Sequence, residues 1–413
     1  MKNLNSDKSY IEKGGILFGT KKDRYYINGS DTHTLVIGAT RSGKSRSIVL
    51  PTIGIEGLAG ENMVVSDPKG ELHQYTYPFL EALGYNVFVL DFKNPDRSDH
   101  FNFLQEVIDA INDDNIPLAQ KKALDITEAL VGNDTSSEKI WSEGEKSIMA
   151  ACILAVVYDN RKHPEYQNLT NVYHFINNMC EMSDNPPLKR YIDTIEALNP
   201  NHPALALISA TKVAPSKTQG SFNISALATL RLFADINVYN LTKSNSFKIE
   251  DLNDQKTAIF IILPDYNTTY YGVASLFVDQ IYTKLADVAD LQGGRLKRRV
   301  NFILDEFGNF AVIPDFATKL TVAGGRGIRF NLFLQSTAQL ESDSKKVKYG
   351  KEGARTIVGN CEYWIFLSSD LDTRKMISEE IGDYTTMSNS ESNSYNGTRL
   401  FDMTGANISA SRN

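Results

Sequence analysis

Short apolar runs alternate with longer amphipathic stretches in the first quarter of the chain and again in its second half. The runs that predict strands are 34–37, 63–66, 87–90, 258–263, 301–304, 329–334 and 363–367. The stretches 43–55 and 71–83 predict helices, and further helices are expected between the later strands. Alternation of this kind is typical of a parallel sheet covered by helices on both faces. The pattern therefore predicts an α/β fold.

Between positions 104 and 210 the strand-like runs disappear, and segments with helical periodicity replace them. These segments are 117–131, 138–160, 169–181 and 188–198, with breakers such as Asn185-Pro186-Pro187 between them. We therefore expect an all-helical domain at 104–210, inserted into an α/β domain formed by 1–103 and 211–413. The serine- and asparagine-rich stretch 387–413 is compatible with a loop and an edge hairpin, or with a chain that has been cut short.

Composition and charge narrow the class of protein. With 413 residues, 42% of them apolar, the chain is long enough for a substantial core and for two or three domains. The formal net charge of −7 argues against nucleic-acid binding over the whole surface and leaves room for a local basic track, such as a ring pore. Cysteines 152, 180 and 361 lie far apart and the six histidines show no ligand spacing, so no disulfide framework or zinc site is expected.

The chain carries no segment that predicts a membrane anchor or a signal peptide. Residues 1–13 are polar and charged. The longest apolar run, 148–158, is shorter than the roughly 20 residues that span a bilayer. We expect this run to form a buried helix, and the chain as given to be soluble and cytosolic.

A glycine-rich motif after the first predicted strand carries the strongest chemical signal. It matches G-x-x-x-x-G-K-[ST] and consists of Gly38, Ala39, Thr40, Arg41, Ser42, Gly43, Lys44 and Ser45. Its glycines let backbone N–H groups turn toward phosphate oxygens, and the helix that follows adds positive potential. Lys44 is expected to bridge the β- and γ-phosphates of ATP, and the Ser45 hydroxyl to ligate Mg²⁺. The motif predicts a nucleotide site.

Two adjacent acids, Asp305 and Glu306, end the predicted strand 301–304. Alone, such a pair is common at surface strand ends. With a phosphate loop upstream, we expect Asp305 to hold the Mg²⁺ shell and Glu306 to orient and polarise the attacking water. Two neighbouring acids favour hydrolysis over transfer to a small acceptor, since the water needs its own base.

Two further residues have less specific signals. Gln335 follows the strand 329–334, where an amide can sense the γ-phosphate or cap the next turn. Arg326 lies in a glycine-rich stretch, where it is either an arginine finger for a neighbouring subunit or a solvated surface residue. The pattern alone leaves both alternatives open.

Two other polar clusters have structural explanations. Asp67 and Pro68 lie between a strand and a helix, so Asp67 can cap the helix and Pro68 can start it; a role near the nucleotide is the alternative. The basic run 295–299 can touch nucleic-acid phosphates, but most such runs are solvated loops.

Seven motifs in order resemble those of the type IV coupling proteins, the VirD-type ATPases of conjugation and type IV secretion. They are GATRSGKS at 38–45, SDPKGEL at 66–72, LDEFGN at 304–309, IPDF at 313–316, GGRGIRF at 324–330, LQSTAQL at 334–340 and GNCEYWIFLSSDLDT at 359–373. The resemblance covers roughly 14–384. Several motifs are individually weak, but their order and spacing together are specific.

The resemblance implies a RecA-like P-loop NTPase domain with an all-helical insertion, assembled as a hexameric ring. It implies that ATP hydrolysis drives a relaxase-bound single strand of DNA into a secretion channel. By position, Lys44 and Ser45 fall on the family's phosphate loop, Asp305 and Glu306 on its acidic motif, and Gln335 on its sensor. Arg326 falls on its trans-acting arginine.

The resemblance also implies partners and a location. The helical region 104–210 is expected to meet relaxosome proteins, and the ring to meet channel ATPases and membrane components. Family members usually begin with membrane-spanning helices and continue past the point where this sequence stops. We therefore expect a soluble part of a protein anchored at the cytoplasmic side of the plasma membrane, hexameric when anchored or monomeric as a fragment.

Other functions fit the same motifs. A coupling ATPase that delivers only proteins would carry the same residues. A docking module would use the nucleotide only to stabilise its fold. A P-loop kinase of a small metabolite is disfavoured by the adjacent acids Asp305 and Glu306 and by the large helical insertion.

Overall fold

A computed structural model describes residues 10–22, 24–132, 139–179, 186–212, 214–264, 266, 268–343, 346–383, 389–394 and 407–412. The chain forms two compact units, Met1–Ser369 and Asp370–Asn413. The strands are β1 Ile16–Lys21, β2 Arg24–Asn28, β3 His33–Gly38, β4 Asn62–Asp67, β5 Asn86–Asp91, β6 Thr257–Ile262, β7 Val300–Leu304, β8 Ile328–Leu334, β9 Ser342–Asp343, β10 Lys346–Val347, β11 Cys361–Ser368, β12 Asn389–Ser394 and β13 Asn407–Arg412.

Helices occupy most of the remaining described chain. The α-helices are α1 Leu50–Ala59, α2 Glu71–Ala82, α3 Gln105–Asn112, α4 Ile116–Val131, α5 Lys139–Asp159, α6 Leu169–Met179, α7 Pro187–Leu198, α8 Pro203–Lys212, α9 Ser216–Leu230, α10 Ile236–Thr242, α11 Asp251–Asp254, α12 Tyr271–Leu291, α13 Phe316–Ala323, α14 Ala338–Glu341, α15 Gly350–Gly359 and α16 Leu371–Ile381. A π-helix, Ser45–Val49, precedes α1. Short 3₁₀ turns form at Pro95–Arg97, Pro164–Tyr166, Arg231–Ala234, Phe307–Asn309 and Gly324–Arg326.

A seven-stranded parallel sheet is the centre of the first unit. Its order is β11–β3–β8–β7–β4–β6–β5, and every neighbouring pair is parallel. All seven predicted strands are present within two residues of their predicted ends, so the α/β prediction is confirmed. The five inner strands are buried along their whole length, as expected for strands covered on both faces.

Side chains of the inner strands and of α1 and α2 form one apolar core. Val36, Val65, Phe260, Ile303 and Phe333 belong to this cluster, and each is at most 1% exposed. Full burial of such a side chain stabilises a fold by roughly 1.5–3 kcal/mol. The sheet is thus a rigid base for the loops at its edges.

The helical part of the chain is longer than the sequence predicted. The four helices expected between 104 and 210 are present as α4, α5, α6 and α7, although the predicted end of the third lies outside the described residues. Helices α9 and α10 lie after position 210 and are followed by α11 before strand β6. The division into domains at 104 and 210 remains a prediction.

Of the apolar run 148–158, residues 148–157 are buried inside α5, as expected, and Tyr158 is partly exposed. Among the described helices, none has the length and apolarity needed to cross a membrane. Cys152 and Cys361 are buried, and Cys180 lies outside the described residues.

Two hairpins flank the main elements in sequence. β1 pairs with β2 in an antiparallel hairpin that the sequence pattern did not reveal, and its register shifts between Leu17 and Gly19. In the second unit, β12 pairs with β13, also antiparallel. Among the described residues, these two strands form a two-stranded sheet of their own and do not extend the edge of the seven-stranded sheet, as an edge hairpin in 387–413 would.

A buried ion cluster lies where β8 begins. The Arg329 side chain is 1% exposed, and its guanidinium donates to Glu56 Oε1 at 3.1 Å, Glu61 Oε2 at 3.4 Å and Asn301 Oδ1 at 2.8 Å. It also donates to the Asn28 carbonyl at 3.1 Å. A buried charge needs such partners, since unpaired it would be strongly destabilising.

Candidate nucleotide site

Four neighbouring strands bring the predicted site residues to one edge of the sheet. The glycine-rich loop follows β3, Asp67 ends β4, Asp305 follows β7 and Gln335 follows β8. Strands β3, β8, β7 and β4 are consecutive in the sheet and parallel, so their carboxyl ends meet. Ligands of open parallel sheets bind at this kind of edge.

The loop after β3 has the backbone of an anion cradle. Arg41 and Gly43 have positive φ angles, 65° and 89°, a conformation that turns successive N–H groups to one side. A Cβ at position 38 would lie 2.5 Å from Ser42 Oγ and 2.9 Å from Lys44 Cγ, so only glycine fits there. In the described part of the chain, Ser42 Oγ is buried without a hydrogen-bond partner. The loop therefore offers an unpaired hydroxyl donor in a space suited to phosphate.

The helix that follows adds to this cradle. It starts as the π-helix Ser45–Val49 and continues into α1. The first N–H groups of a helix have no carbonyl partner within it, and its amino end carries positive potential. Single-turn π segments are frequent at functional sites. The loop and the start of the helix thus both favour an anion at the same position.

Lys44 is anchored between two strands of the sheet. Its side chain is 8% exposed, and Nζ donates to the Gly38 carbonyl at 2.6 Å and to the Leu334 carbonyl at 3.2 Å. Burial lowers the pKa of Lys44, and the charges of Asp305 and Glu306 partly offset this effect. The ammonium group therefore lies between the ends of β3 and β8, close to both acids.

Asp305 and Ser45 present oxygen atoms side by side. Ser45 Oγ donates to Asp305 Oδ2 at 3.0 Å, while the Glu306 N–H donates to Asp305 Oδ1 at 3.0 Å. Burial raises the pKa of Asp305, and the charge of Lys44 acts in the opposite direction. Within the described ranges no group of three or more His, Cys, Asp and Glu residues can hold a metal. A carboxylate and a hydroxyl fit Mg²⁺, which takes one or two carboxylates, waters and substrate phosphates.

Glu306 has a strained backbone and a fixed carboxylate. Its φ and ψ angles are 53° and 39°, in the left-handed region that non-glycine residues rarely adopt. Asn309 Nδ2 donates to Glu306 Oε2 at 3.1 Å. Asn309 belongs to the same motif but was not predicted as a site residue, because its role depends on the tight turn at Phe307–Asn309.

Gln335 is held at the end of β8 by its backbone. Its N–H donates to Gln339 Oε1 at 2.9 Å, and its carbonyl accepts from Ser369 Oγ at 2.7 Å. The amide of Gln339 also packs against Gly308, where a Cβ would approach it to 2.5 Å. Gln339 thus connects the turn after the acids with the turn after β8, a link that the sequence did not predict.

Arg326 is the one predicted site residue that the structure places elsewhere in the described chain. It ends the 3₁₀ turn Gly324–Arg326, just before β8, so it lies at the amino end of that strand. Lys44 contacts the carboxyl end of β8 at Leu334. Leu334 is 8 residues after Arg326 and about 26 Å from it along the extended chain. An arginine side chain cannot cover that distance within one subunit.

Asp67 accepts hydrogen bonds from the start of α2, but the N-cap residue of this helix is Gly70 and not, as the sequence had predicted, Asp67. Its carboxylate accepts from the Gly70 N–H at 2.8 Å and from the His73 N–H at 2.9 Å. Burial raises the pKa of Asp67, and these backbone hydrogen bonds act against that effect. The prediction that Pro68 starts the helix is wrong: Gly70 adopts a positive φ of 79° and α2 begins at Glu71.

The basic run before β7 is engaged within the chain. Arg295 and Arg299 pair with Asp31, Lys297 pairs with Asp254, and Arg298 donates to the Gly60 carbonyl. These residues lie at the amino ends of the strands, away from the phosphate loop. Arg295 and Lys297 are exposed, as expected of a solvated loop, whereas the Arg299 side chain is only 9% exposed.

The chain is similar to known proteins of conjugation and DNA transfer. It is 26% identical to protein VirD4 of Agrobacterium fabrum over 396 residues, which are 92% of this chain and 53% of VirD4. It is 24% identical to the conjugal transfer protein TraG of Escherichia coli over 377 residues, 87% of this chain and 57% of TraG. The chain therefore spans about half the length of the curated relatives it matches.

Solved structures of a bacterial conjugative coupling protein share the fold. The unbound monoclinic form of TrwBdeltaN70 gives a TM-score of 0.64 at 18% identity, covering 98% of this chain and 82% of that one. TrwB in complex with ADP and Mg²⁺ gives 0.63 at 18% identity, with coverage of 88% and 76%. The expected RecA-like P-loop NTPase fold is thereby confirmed.

A family model covers nearly the whole sequence. The model, described as type IV secretory system conjugative DNA transfer, matches residues 2–413. The chain belongs to this family of type IV secretory conjugative DNA transfer proteins.

Proposed function

We propose that this chain is the ATP-hydrolysing motor of a coupling protein that drives DNA into a type IV secretion channel during conjugation. The observation that carries the proposal is the meeting of Lys44, Ser45, Asp305 and Glu306 at one edge of the parallel sheet. These four side chains are the parts that phosphate binding, metal binding and water activation require. The family membership of the chain supports the choice of cargo.

The loop Gly38–Ser45 would hold the phosphates of ATP, with Lys44 between the β- and γ-phosphates. Ser45 and Asp305 would hold Mg²⁺, since both already place an oxygen at the same point. When bound, Mg²⁺ supplies positive charge that stabilises the charge developing on the phosphoryl oxygens. TrwB, which has the same fold, has been solved with ADP and Mg²⁺.

Glu306 would accept a proton from the attacking water. Its backbone strain and the hydrogen bond from Asn309 restrict its carboxylate to one position. Gln335 would sense the γ-phosphate from the end of β8, with Gln339 fixing its backbone. Asp305 would therefore bind the metal, and Glu306 would activate the water.

The active form would be a homohexameric ring. Since Arg326 is too far from the nucleotide edge of its own subunit, it would act on the nucleotide of a neighbour. Arginines supplied in this way increase turnover about 10³–10⁵-fold. The helical region 104–210 would recruit relaxase and relaxosome proteins, and the ring would work with channel components at the cytoplasmic side of the membrane.

ATP turnover measured with and without single-stranded DNA, across protein concentration, tests the proposal. We expect a rate per subunit that rises steeply with concentration, increases with DNA and is absent in Lys44→Ala. A response to DNA separates this function from delivery of proteins alone, because a receptor for proteins has no reason to respond to DNA. Tight nucleotide binding without turnover at any concentration would refute the motor and favour a docking module.

A further inference from the structure

Arg326 makes one paired contact with a neighbouring helix. Its Nε and Nη2 donate to Asp290 Oδ1 at 3.0 Å and Asp290 Oδ2 at 3.2 Å. This is the side-on, two-bond arrangement of an arginine with a carboxylate. Asp290 lies in the last turn of α12, and its side chain is 56% exposed.

The contact leaves one edge of the guanidinium open. A guanidinium has five N–H donors in a planar fork, and Asp290 occupies the Nε side of it. Nη1 also has a long contact of 3.5 Å to the Val322 carbonyl. The outer edge formed by Nη1 and Nη2 can still donate two parallel hydrogen bonds, which is the geometry that phosphate oxygens accept.

The backbone beneath Arg326 is fixed as well. The Leu296 N–H donates to the Arg326 carbonyl at 3.0 Å, and Arg295 Nη1 donates to the Gly325 carbonyl at 3.4 Å. Gly324 approaches the Asp31 carbonyl so closely that a side chain at 324 would not fit. The stretch 324–326 is therefore a supported turn, so the remaining freedom of Arg326 lies in its long side chain.

We propose that Asp290 is a positioning residue: it holds the guanidinium of Arg326 in the orientation that contacts the nucleotide of the neighbouring subunit. The proposal rests on the proposed function, in which Arg326 acts between subunits. A two-bond contact between an arginine and a carboxylate restricts the orientation of the guanidinium more than a single hydrogen bond does. If one rotamer of a long side chain is fixed before assembly, less conformational entropy is lost when the ring forms.

Mixing subunits of the full chain tests this directly. The acceptor is Arg326→Ala, which keeps its nucleotide site and lacks the arginine. The donor is Glu306→Gln, which keeps Arg326 and lacks the base. Each alone is expected to be inactive, and a mixture is expected to recover turnover, because donor arginines then face acceptor sites.

A second set of donor-subunit variants tests the role of Asp290 separately. In the Glu306→Gln background, Asp290→Asn removes the carboxylate charge, and Asp290→Glu restores it. Asp254→Asn is the matched control, since Asp254 is 55% exposed and pairs with Lys297 near the same edge of the sheet without touching Arg326. Turnover is measured while ATP is varied up to saturation and while the protein concentration is varied up to the point where the wild-type rate reaches its plateau.

We expect the Asp290→Asn donor to recover roughly tenfold to a hundredfold less turnover than the unmodified donor. The loss should appear in kcat, with an unchanged KM for ATP and an unchanged concentration dependence. The Asp254→Asn donor should match the unmodified donor, and the Asp290→Glu donor should regain most of the rate.

Three results would overturn the inference, and they are distinguishable. Equal or higher recovery with the Asp290→Asn donor refutes positioning while leaving the action of Arg326 between subunits intact. A loss that appears only as a shift in concentration dependence shows that Asp290 serves assembly instead. No recovery in any mixture, with an active wild type, refutes the role of Arg326 and with it this inference.

Discussion

Replacing Glu56 with glutamine tests the buried ion cluster at the amino edge of the sheet. Glu56 is fully buried, and Oε1 accepts from Arg329 at 3.1 Å. Its other oxygen, Oε2, has no hydrogen-bond partner among the described residues. Burial therefore raises the pKa of Glu56 from 4.5 to about 8, although the charge of Arg329 opposes the shift. Glutamine reproduces the neutral acid in size and keeps an acceptor for Arg329.

The sign of the pH effect follows from the direction of the shift. The folded state binds the Glu56 proton more tightly than the unfolded state, so stability falls as pH rises from 4.5 toward 8. At about 1.4 kcal/mol per pH unit, the interval corresponds to about 5 kcal/mol of unfolding free energy. Glu56→Gln removes this loss. The variant should approach the wild type in stability near pH 5 and exceed it by a few kcal/mol above about pH 8.

Urea unfolding followed by circular dichroism at about pH 5.5 and about pH 8.5 measures the effect. Glu352→Gln, on the exposed side of α15, controls for the change in net charge. If Glu56→Gln instead loses stability equally at both pH values, Glu56 is a carboxylate in the folded state. The reasoning from burial would then be refuted.

Two further substitutions test the nucleotide edge. Gly38→Ala places a Cβ 2.5 Å from Ser42 Oγ and should weaken nucleotide binding at least about tenfold, since the loop must shift. A fluorescent ATP analogue measures this, and Gly54→Ala, with open space around its Cβ, should bind as the wild type does. Gln339→Ala removes the acceptor of the Gln335 N–H and should lower kcat about tenfold with KM retained. Equal losses in kcat and affinity would show that Gln339 shapes the binding loop instead.

Local signals were enough to predict the nucleotide edge. A strand, a glycine-rich turn and a helix follow one another directly in 33–59, so the phosphate loop and its context are contiguous in sequence. Asp305 and Gln335 each end an apolar strand, and parallel pairing brings these ends together. The hydrophobic pattern thus predicted both the sheet and the edge of the sheet that carries the predicted nucleotide-site residues.

Residues whose role depends on distant partners were not predictable in this way. Arg329 interrupts an apolar strand, and only the fold reveals that Glu56 and Glu61 accept its hydrogen bonds from more than 260 residues away in sequence. Asp290 lies in a helix 36 residues before its partner Arg326. The β1–β2 hairpin was missed because its register shift after Leu17 breaks the alternation that marks a strand.

The proposed motor requires that the carboxyl edge of the sheet binds ATP and that Glu306 activates the water that hydrolyses it. The most direct measurement compares nucleotide affinity and turnover in the same samples of wild type and Glu306→Gln. We expect affinity to change less than about threefold while turnover falls at least about a hundredfold, because the carboxylate acts on water and not on the phosphates. Turnover that survives the substitution would refute this role of Glu306, and so would a loss explained wholly by weaker binding.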